Sequence, residues 1–166
     1  MSEDTTSESA TAGLAILGGG NLGQALARGF VASGALRPDR VHVTSLHLPG
    51  LVELEADGYP TGSDNLAAIQ GADTILIAVQ PQQITDLLDE IRSHLDPDRH
   101  KVISVVTGVT VPQLRKMIPV PTQVVRAMPN TAVSIRESMT CLSADADSIG
   151  ALEEAEALFK GVGLTL

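Results

Sequence analysis

Residues 14–23 of this chain read Leu-Ala-Ile-Leu-Gly-Gly-Gly-Asn-Leu-Gly, and this run narrows the possible folds more than any other stretch. A short apolar strand enters a Gly-x-Gly-x-x-Gly turn and leaves into the helical stretch Gln24-Ala25-Leu26-Ala27-Arg28-Gly29-Phe30. Gly18 permits the tight strand-to-helix turn, Gly20 lets backbone approach a pyrophosphate with no Cβ between them, and Gly23 lets the helix pack closely on the strand. The phosphates would then meet free N–H groups at a helix N-terminus, where the positive end of the dipole suits an anion without any basic side chain. Alone, the motif favours a dinucleotide site over the alternative, a glycine-rich turn that binds nothing. The rest of the chain decides between the two.

Short β-rich apolar runs alternate with longer helical patterns, the mark of βαβ units around a mostly parallel, doubly wound sheet. Strands are expected at 14–17, 41–45, 74–79, 102–106 and 123–128, with further ones at 139–142 and 162–166. The run 74–79 is continuously apolar, as a central strand covered on both faces should be. Helices are expected from the glycine turn to about residue 33, over 49–57, from an Asp64 cap to 70, and over 84–95, 111–118 and 145–159. Gly34, Gly58 and Gly161 stand where three of these should stop. With 166 residues, 43% of them hydrophobic, the chain suits one core, so 13–166 reads as a single α/β domain. Residues 1–12, rich in Ser, Thr and Glu without an apolar core, read as a disordered tail rather than a signal peptide.

Composition removes several functions. The net charge is −9, with Lys and Arg scattered, and only Phe30, Phe159 and Tyr59 are aromatic, which argues against nucleic acid as a partner. No run approaches the ~18 apolar residues of a membrane span. The single cysteine, Cys141, rules out an internal disulfide or a cysteine metal cluster and fits a reducing cytoplasm; its expected place is a small core position. The acidic surface reflects either a salty cytoplasm or simple solubility. No Ser/His/Asp or metal-ligand spacing stands out. Asp96 and Asp98 beside Pro97 read as a turn, with His94 and His100 exposed around it.

In open α/β sheets the ligand lies beyond the carboxyl ends of the strands, so the segments 18–23, 44–47, 78–82, 107–109 and 128–131 form one crevice. An NAD enzyme usually places Asp or Glu about 20 residues after the glycines, against the ribose 2′-OH. Thr44 and Ser45 stand there instead. Hydroxyls can donate to a 2′-phosphate and no carboxylate repels it, which favours NADP over NAD as cofactor. His47 either adds a donor or is simply solvated.

These residues resemble pyrroline-5-carboxylate reductases. The resemblance rests on Gly18-x-Gly20-Asn21-Leu22, Asn65, Ala78-Val79-Gln80-Pro81-Gln82, Ile103-Ser104 with Gly108-Val109, and above all Arg126-x-Met128-Pro129-Asn130-Thr131, and it runs from about Leu14 to the end. It implies a Rossmann-type domain in which the first turn, Leu17, Gly18, Gly19, Gly20, Asn21 and Leu22, holds the pyrophosphate. Ser45, Thr44 and Asn65 would meet the adenosine half, Ala78, Val79, Gln80 and Pro81 the nicotinamide side, and Thr107, Gly108 and Asn130 complete the cofactor set. Reduced NADP would deliver hydride to the C=N bond of 1-pyrroline-5-carboxylate, giving proline. No catalytic residue of the family falls within the chain, because the family's helical domain with its Gly-Ser-Gly-Pro-Ala segment, which builds the dimer and most of the imino-acid site, is absent from it. A chain that stops inside the apolar run 162–166 is expected to belong to a longer, homo-oligomeric protein, to be inactive alone, and to self-associate through that edge.

Departures from the family pattern are Gln80 for Lys, Thr107 for a small Ala, Ala132 for Pro and Ser138 for Gly. Without the pattern, Asn130 could only close a turn, Asn65 only cap a helix and Arg126 only pair with an acid. Other Rossmann reductases, such as F420-dependent NADP reductases or dehydrogenases of 3-hydroxy acids, and a non-catalytic nucleotide-sensing module remain as alternatives.

Overall fold

The sheet carries eight strands: β1 Leu14–Leu17, β2 Val41–Thr44, β3 Thr61–Gly62, β4 Thr74–Ile77, β5 Lys101–Ser104, β6 Gln123–Met128, β7 Ser138–Ala144 and β8 Gly163–Thr165. They are joined by α1 Asn21–Ala32, α2 Val52–Ala56, α3 Asn65–Gln70, α4 Ile84–Ile91, α5 Val111–Met117 and α6 Ile149–Lys160. This computed structural model describes residues 13–166; the tail expected over 1–12 lies outside the described residues. The strand order is β3-β2-β1-β4-β5-β6-β7-β8, parallel from β3 through β6, with β7 antiparallel to β6 and β8 parallel to β7. From β1 the chain winds outward one way to β2 and β3, then returns to lay β4, β5 and β6 on the other side. The crevice at the carboxyl ends therefore opens between β1 and β4.

Both of those strands are wholly buried, because strand alternation sends successive side chains into two cores. Leu14 and Ile16 join Leu26, Phe30, Val43, Val125 and Phe159 beneath α1 and α6. Ala15 and Leu17 join Ile75, Ile77, Leu88, Ile91, Val102 and Leu114 beneath α3, α4 and α5. The first core is anchored by Phe30 and Phe159, edge to face with ring centroids 5.5 Å apart. Helix ends follow the expected chemistry. Gly34 and Gly58 take positive φ of 82° and 92°, and the Asp64 carboxylate accepts the Ala67 N–H at 3.1 Å.

Several expectations need correction. The helix expected over 49–57 is a 3-10 turn, Leu48–Leu51, leading into the short α2. The last helix starts at Ile149 rather than 145, because the Arg115 guanidinium holds Asp145, Asp147 and Ser148 Oγ at 2.9, 3.2 and 2.8 Å and pins that stretch as a loop. Cys141 is exposed, not core: β7 turns Ser138 and Thr140 inward, their hydroxyls 3.3 Å apart, so the alternate residues Met139 and Cys141 face out. His100 is only 4% exposed. Its Nδ1 accepts the Asp96 N–H at 2.9 Å and its Nε2 donates to the Ile69 carbonyl at 3.0 Å, so the ring closes the loop it was expected merely to flank. His94 is exposed as expected, and Asp96 accepts the Asp98 N–H in the turn through Pro97.

Candidate dinucleotide-binding site

The glycine turn is shaped by what surrounds it. Gly18 has φ +118° and donates its N–H to the Thr44 carbonyl at 3.1 Å, and a Cβ on it would stand 2.5 Å from the carbonyl carbon of Ala78. A Cβ on Gly23 would stand 2.0 Å from the Gly18 carbonyl oxygen. Gly20 differs: nothing lies within 4 Å of its missing Cβ. The turn is thus closed behind and open in front, a cradle that fits a pyrophosphate. Gly20 caps the twelve-residue α1 with no side chain bonded to the cap and no acid in the first turn, so no carboxylate of the helix's own first turn competes for its amide donors. Gln24 steadies the turn, its Nε2 donating to the carbonyls of Gly19 at 2.8 Å and Gly50 at 3.0 Å.

Beside the turn lies a cavity of about 490 Å³, a size suited to a small-molecule site. Of the residues nominated from sequence, Gly18, Gly19, Gly20, Thr44, Ser45, Asn65, Ala78, Val79 and Gln80 line it. Leu17, Asn21, Leu22 and Pro81 adjoin these in the chain without lining the cavity. Thr107, Gly108 and Asn130 lie past the ends of β5 and β6, also outside it. Leu46, Ser63, Gln83, Asp86, Leu87 and Glu90 line it as well and were not nominated. Four of them belong to one face of α4 and its entry, spaced 83, 86, 87 and 90, a helical stripe that marks a second wall. His47 sits on the rim and is exposed.

Hydrogen bonds separate the two hydroxyls at the end of β2. Thr44 is 1% exposed and its Oγ1 donates to Asn65 Oδ1 at 2.6 Å, while Asn65 Nδ2 donates to Glu90 Oε2 at 3.1 Å. A carboxylate only accepts, so Glu90 sets the Asn65 amide and the amide sets the Thr44 hydroxyl. The Thr44 proton is committed. Ser45 has the opposite arrangement: its Oγ accepts the His47 N–H at 3.1 Å, leaving its own O–H free to donate. Asn65 does not cap α3; Asp64 does. Asn130 closes its turn by accepting the Ala132 N–H at 3.1 Å. Ser138, where the family pattern has Gly, accepts the Asn130 N–H at 3.2 Å. Arg126 pairs with no acid among the described residues, and its Nε is buried there without a partner. No metal-binding cluster of three or more His, Cys, Asp or Glu residues occurs among the described residues, and no helix there is long and apolar enough to cross a membrane.

Residues 13–108, more than half of the chain, match the model of the family described as NADP oxidoreductase coenzyme F420-dependent. Pyrroline-5-carboxylate reductase 2 of Dictyostelium discoideum is 42% identical over 137 residues, covering 81% of this chain and 46% of the relative. The structure of a pyrroline-5-carboxylate reductase from Coxiella burnetii superposes with a TM-score of 0.88 at 34% identity, covering 94% of this chain and 58% of that one. The NADP-bound pyrroline carboxylate reductase of Plasmodium falciparum shares the fold, with a TM-score of 0.80 at 20% identity over 93% of this chain and 56% of that one. The chain spans from 30% to 56% of the length of the curated relatives it matches. Glycine cradle, strand order and these likenesses agree: the chain belongs to the NADP oxidoreductase family described as coenzyme F420-dependent, and it is similar to the N-terminal domain of pyrroline-5-carboxylate reductases.

Proposed function

We propose that this chain is the NADP-binding domain of a pyrroline-5-carboxylate reductase. The observation that carries the reading is the glycine turn, open at Gly20 and backed at Gly18 and Gly23, at a cavity that a free Ser45 hydroxyl also lines. When bound, reduced NADP supplies hydride to the C=N bond of 1-pyrroline-5-carboxylate, and a proton taken up on nitrogen completes proline. The chain's own part is binding and orientation. The uncapped start of α1 holds the pyrophosphate, Ser45 donates to the 2′-phosphate, and Asn65 fixes the adenosine side. Ala78, Val79, Gln80 and Pro81 after β4 line the way toward the nicotinamide, with Leu17, Asn21 and Leu22 shaping the turn and Thr107, Gly108 and Asn130 bounding the crevice past β5 and β6.

Hydride transfer further requires the imine at near-attack distance, and such positioning supplies about 7–11 kcal/mol of a barrier. By the likeness to pyrroline-5-carboxylate reductases, the groups that hold and protonate the imine belong to the helical domain of that family, so we assign turnover to a longer, homo-oligomeric, cytoplasmic protein that contains this domain. Two measurements test the reading: calorimetric titration of the 166-residue chain with NADPH, and NADPH oxidation with 1-pyrroline-5-carboxylate by this chain and by a longer protein containing it. Tight NADPH binding with turnover only in the longer protein is expected. Oxidation of NADPH coupled to coenzyme F420, and not to the imine, would favour the reductase named in the family description instead.

A further inference from the structure

Among the described residues no lysine or arginine lines the cavity, whereas α4 presents two carboxylates to it, Asp86 and Glu90, one helical turn apart. The acid absent from the end of β2 has a counterpart on the facing helix. Glu90 is exposed and reaches the end of β2 through two hydrogen bonds, from Asn65 at 3.1 Å and onward from Thr44 at 2.6 Å. Thr44 directly precedes Ser45, the hydroxyl left free to donate. A 2′-phosphate taken up by Ser45 therefore sits in the field of the Glu90 carboxylate, with no lysine or arginine among the described lining residues to offset it. A ribose 2′-OH there carries no charge and is not repelled.

We propose that Glu90 is a specificity-determining residue of this site: its carboxylate, fixed by Asn65, holds the preference for NADPH over NADH below what the Ser45 hydroxyl would give alone. This rests on the dinucleotide reading above. Glu90 acts on the 2′ substituent through its charge and through the donor sense it imposes on Asn65 and Thr44, so it is a positioning residue and takes no part in hydride transfer. Replacing it by Gln keeps an acceptor for Asn65 Nδ2 and removes only the charge; replacing it by Lys reverses the charge. Because the side chain is exposed, neither change threatens the core.

The test is calorimetric titration of the 166-residue chain and its E90Q and E90K variants with NADPH and with NADH, at low salt and at 1 M salt. The ratio of the NADH Kd to the NADPH Kd is expected to rise about threefold to tenfold in E90Q and further in E90K at low salt, the size of one partly screened charge near a phosphate. At 1 M salt, where screening acts over about 3 Å, most of that gain should vanish. A ratio that does not follow the charge at position 90, or that shifts equally at both salt concentrations, overturns the proposal while leaving the dinucleotide site intact. Failure of all three proteins to bind either nucleotide overturns both.

Discussion

A Cβ placed on Gly23 would lie 2.0 Å from the carbonyl oxygen of Gly18, far closer than an unbonded carbon and oxygen can sit. The first turn of α1 thus rests directly on the backbone of the strand-to-helix turn, and the neighbouring Gly20 is left facing open space. Two glycines three residues apart answer to different demands. G23A is expected to force the turn apart and cost about 2–4 kcal/mol of stability. G20A should cost no more than about 1 kcal/mol, the loss of a glycine cap, yet abolish nucleotide binding by filling the approach to the pyrophosphate. Thermal denaturation with NADPH titration separates them; equal stability losses would contradict the distinct roles.

Ser45 supplies the free donor at the end of β2, since its oxygen already accepts from the His47 N–H. S45D replaces that donor by a charge and should weaken NADPH binding by about tenfold or more through repulsion of the 2′-phosphate. NADH should be affected less, and the preference should reverse. Titration with both nucleotides reads this directly. T44V, by contrast, should act through packing and loss of the Asn65 hydrogen bond, because the Thr44 proton is not available to a ligand.

His42 lies half-buried in β2, and burial holds its imidazole below the ordinary histidine range against a smaller opposing pull from the Asp64 carboxylate. The unfolded chain therefore takes up a proton that the folded chain resists. This contribution to stability is complete above the ordinary value near 6.5 and is lost as pH falls below it. Urea midpoints recorded between about pH 7.5 and pH 5 should decline less steeply in H42N than in the parent protein. Parallel slopes would show that His42 is not responsible.

His100 and His94 flank one turn but have opposite surroundings. H100A leaves the Asp96 N–H and the Ile69 carbonyl without their partner and should cost about 1–3 kcal/mol. H94A, at an exposed position, should stay within about 0.5 kcal/mol of the parent. Chemical denaturation of the two variants checks the contrast.

Much of this architecture is local and so is readable along the chain. Strands β1 and β6 fall at the residues their apolar runs mark, and Gly34, Gly58 and Asp64 end or begin helices as their backbone and capping chemistry requires. The glycine turn follows from spacing alone, because at Gly18 and Gly23 a Cβ cannot be accommodated where the strand meets the helix, whereas Gly20 faces open space. What depends on distant partners was not readable. β3 is two residues of Thr and Gly that pair with β2 only because β2 is already in place. Cys141 faces solvent because the Ser138 and Thr140 hydroxyls claim the interior side of β7, and His100 is buried because Asp96 and Ile69, far apart in sequence, both need its nitrogens. The second wall of the cavity belongs to the same class. Asp86 and Glu90 look like the solvated face of an amphipathic helix until the crossover after β4 lays α4 beside the start of α3 and brings Glu90 to Asn65. Sequence spacing determines which face of a helix is polar; only packing decides what that face confronts.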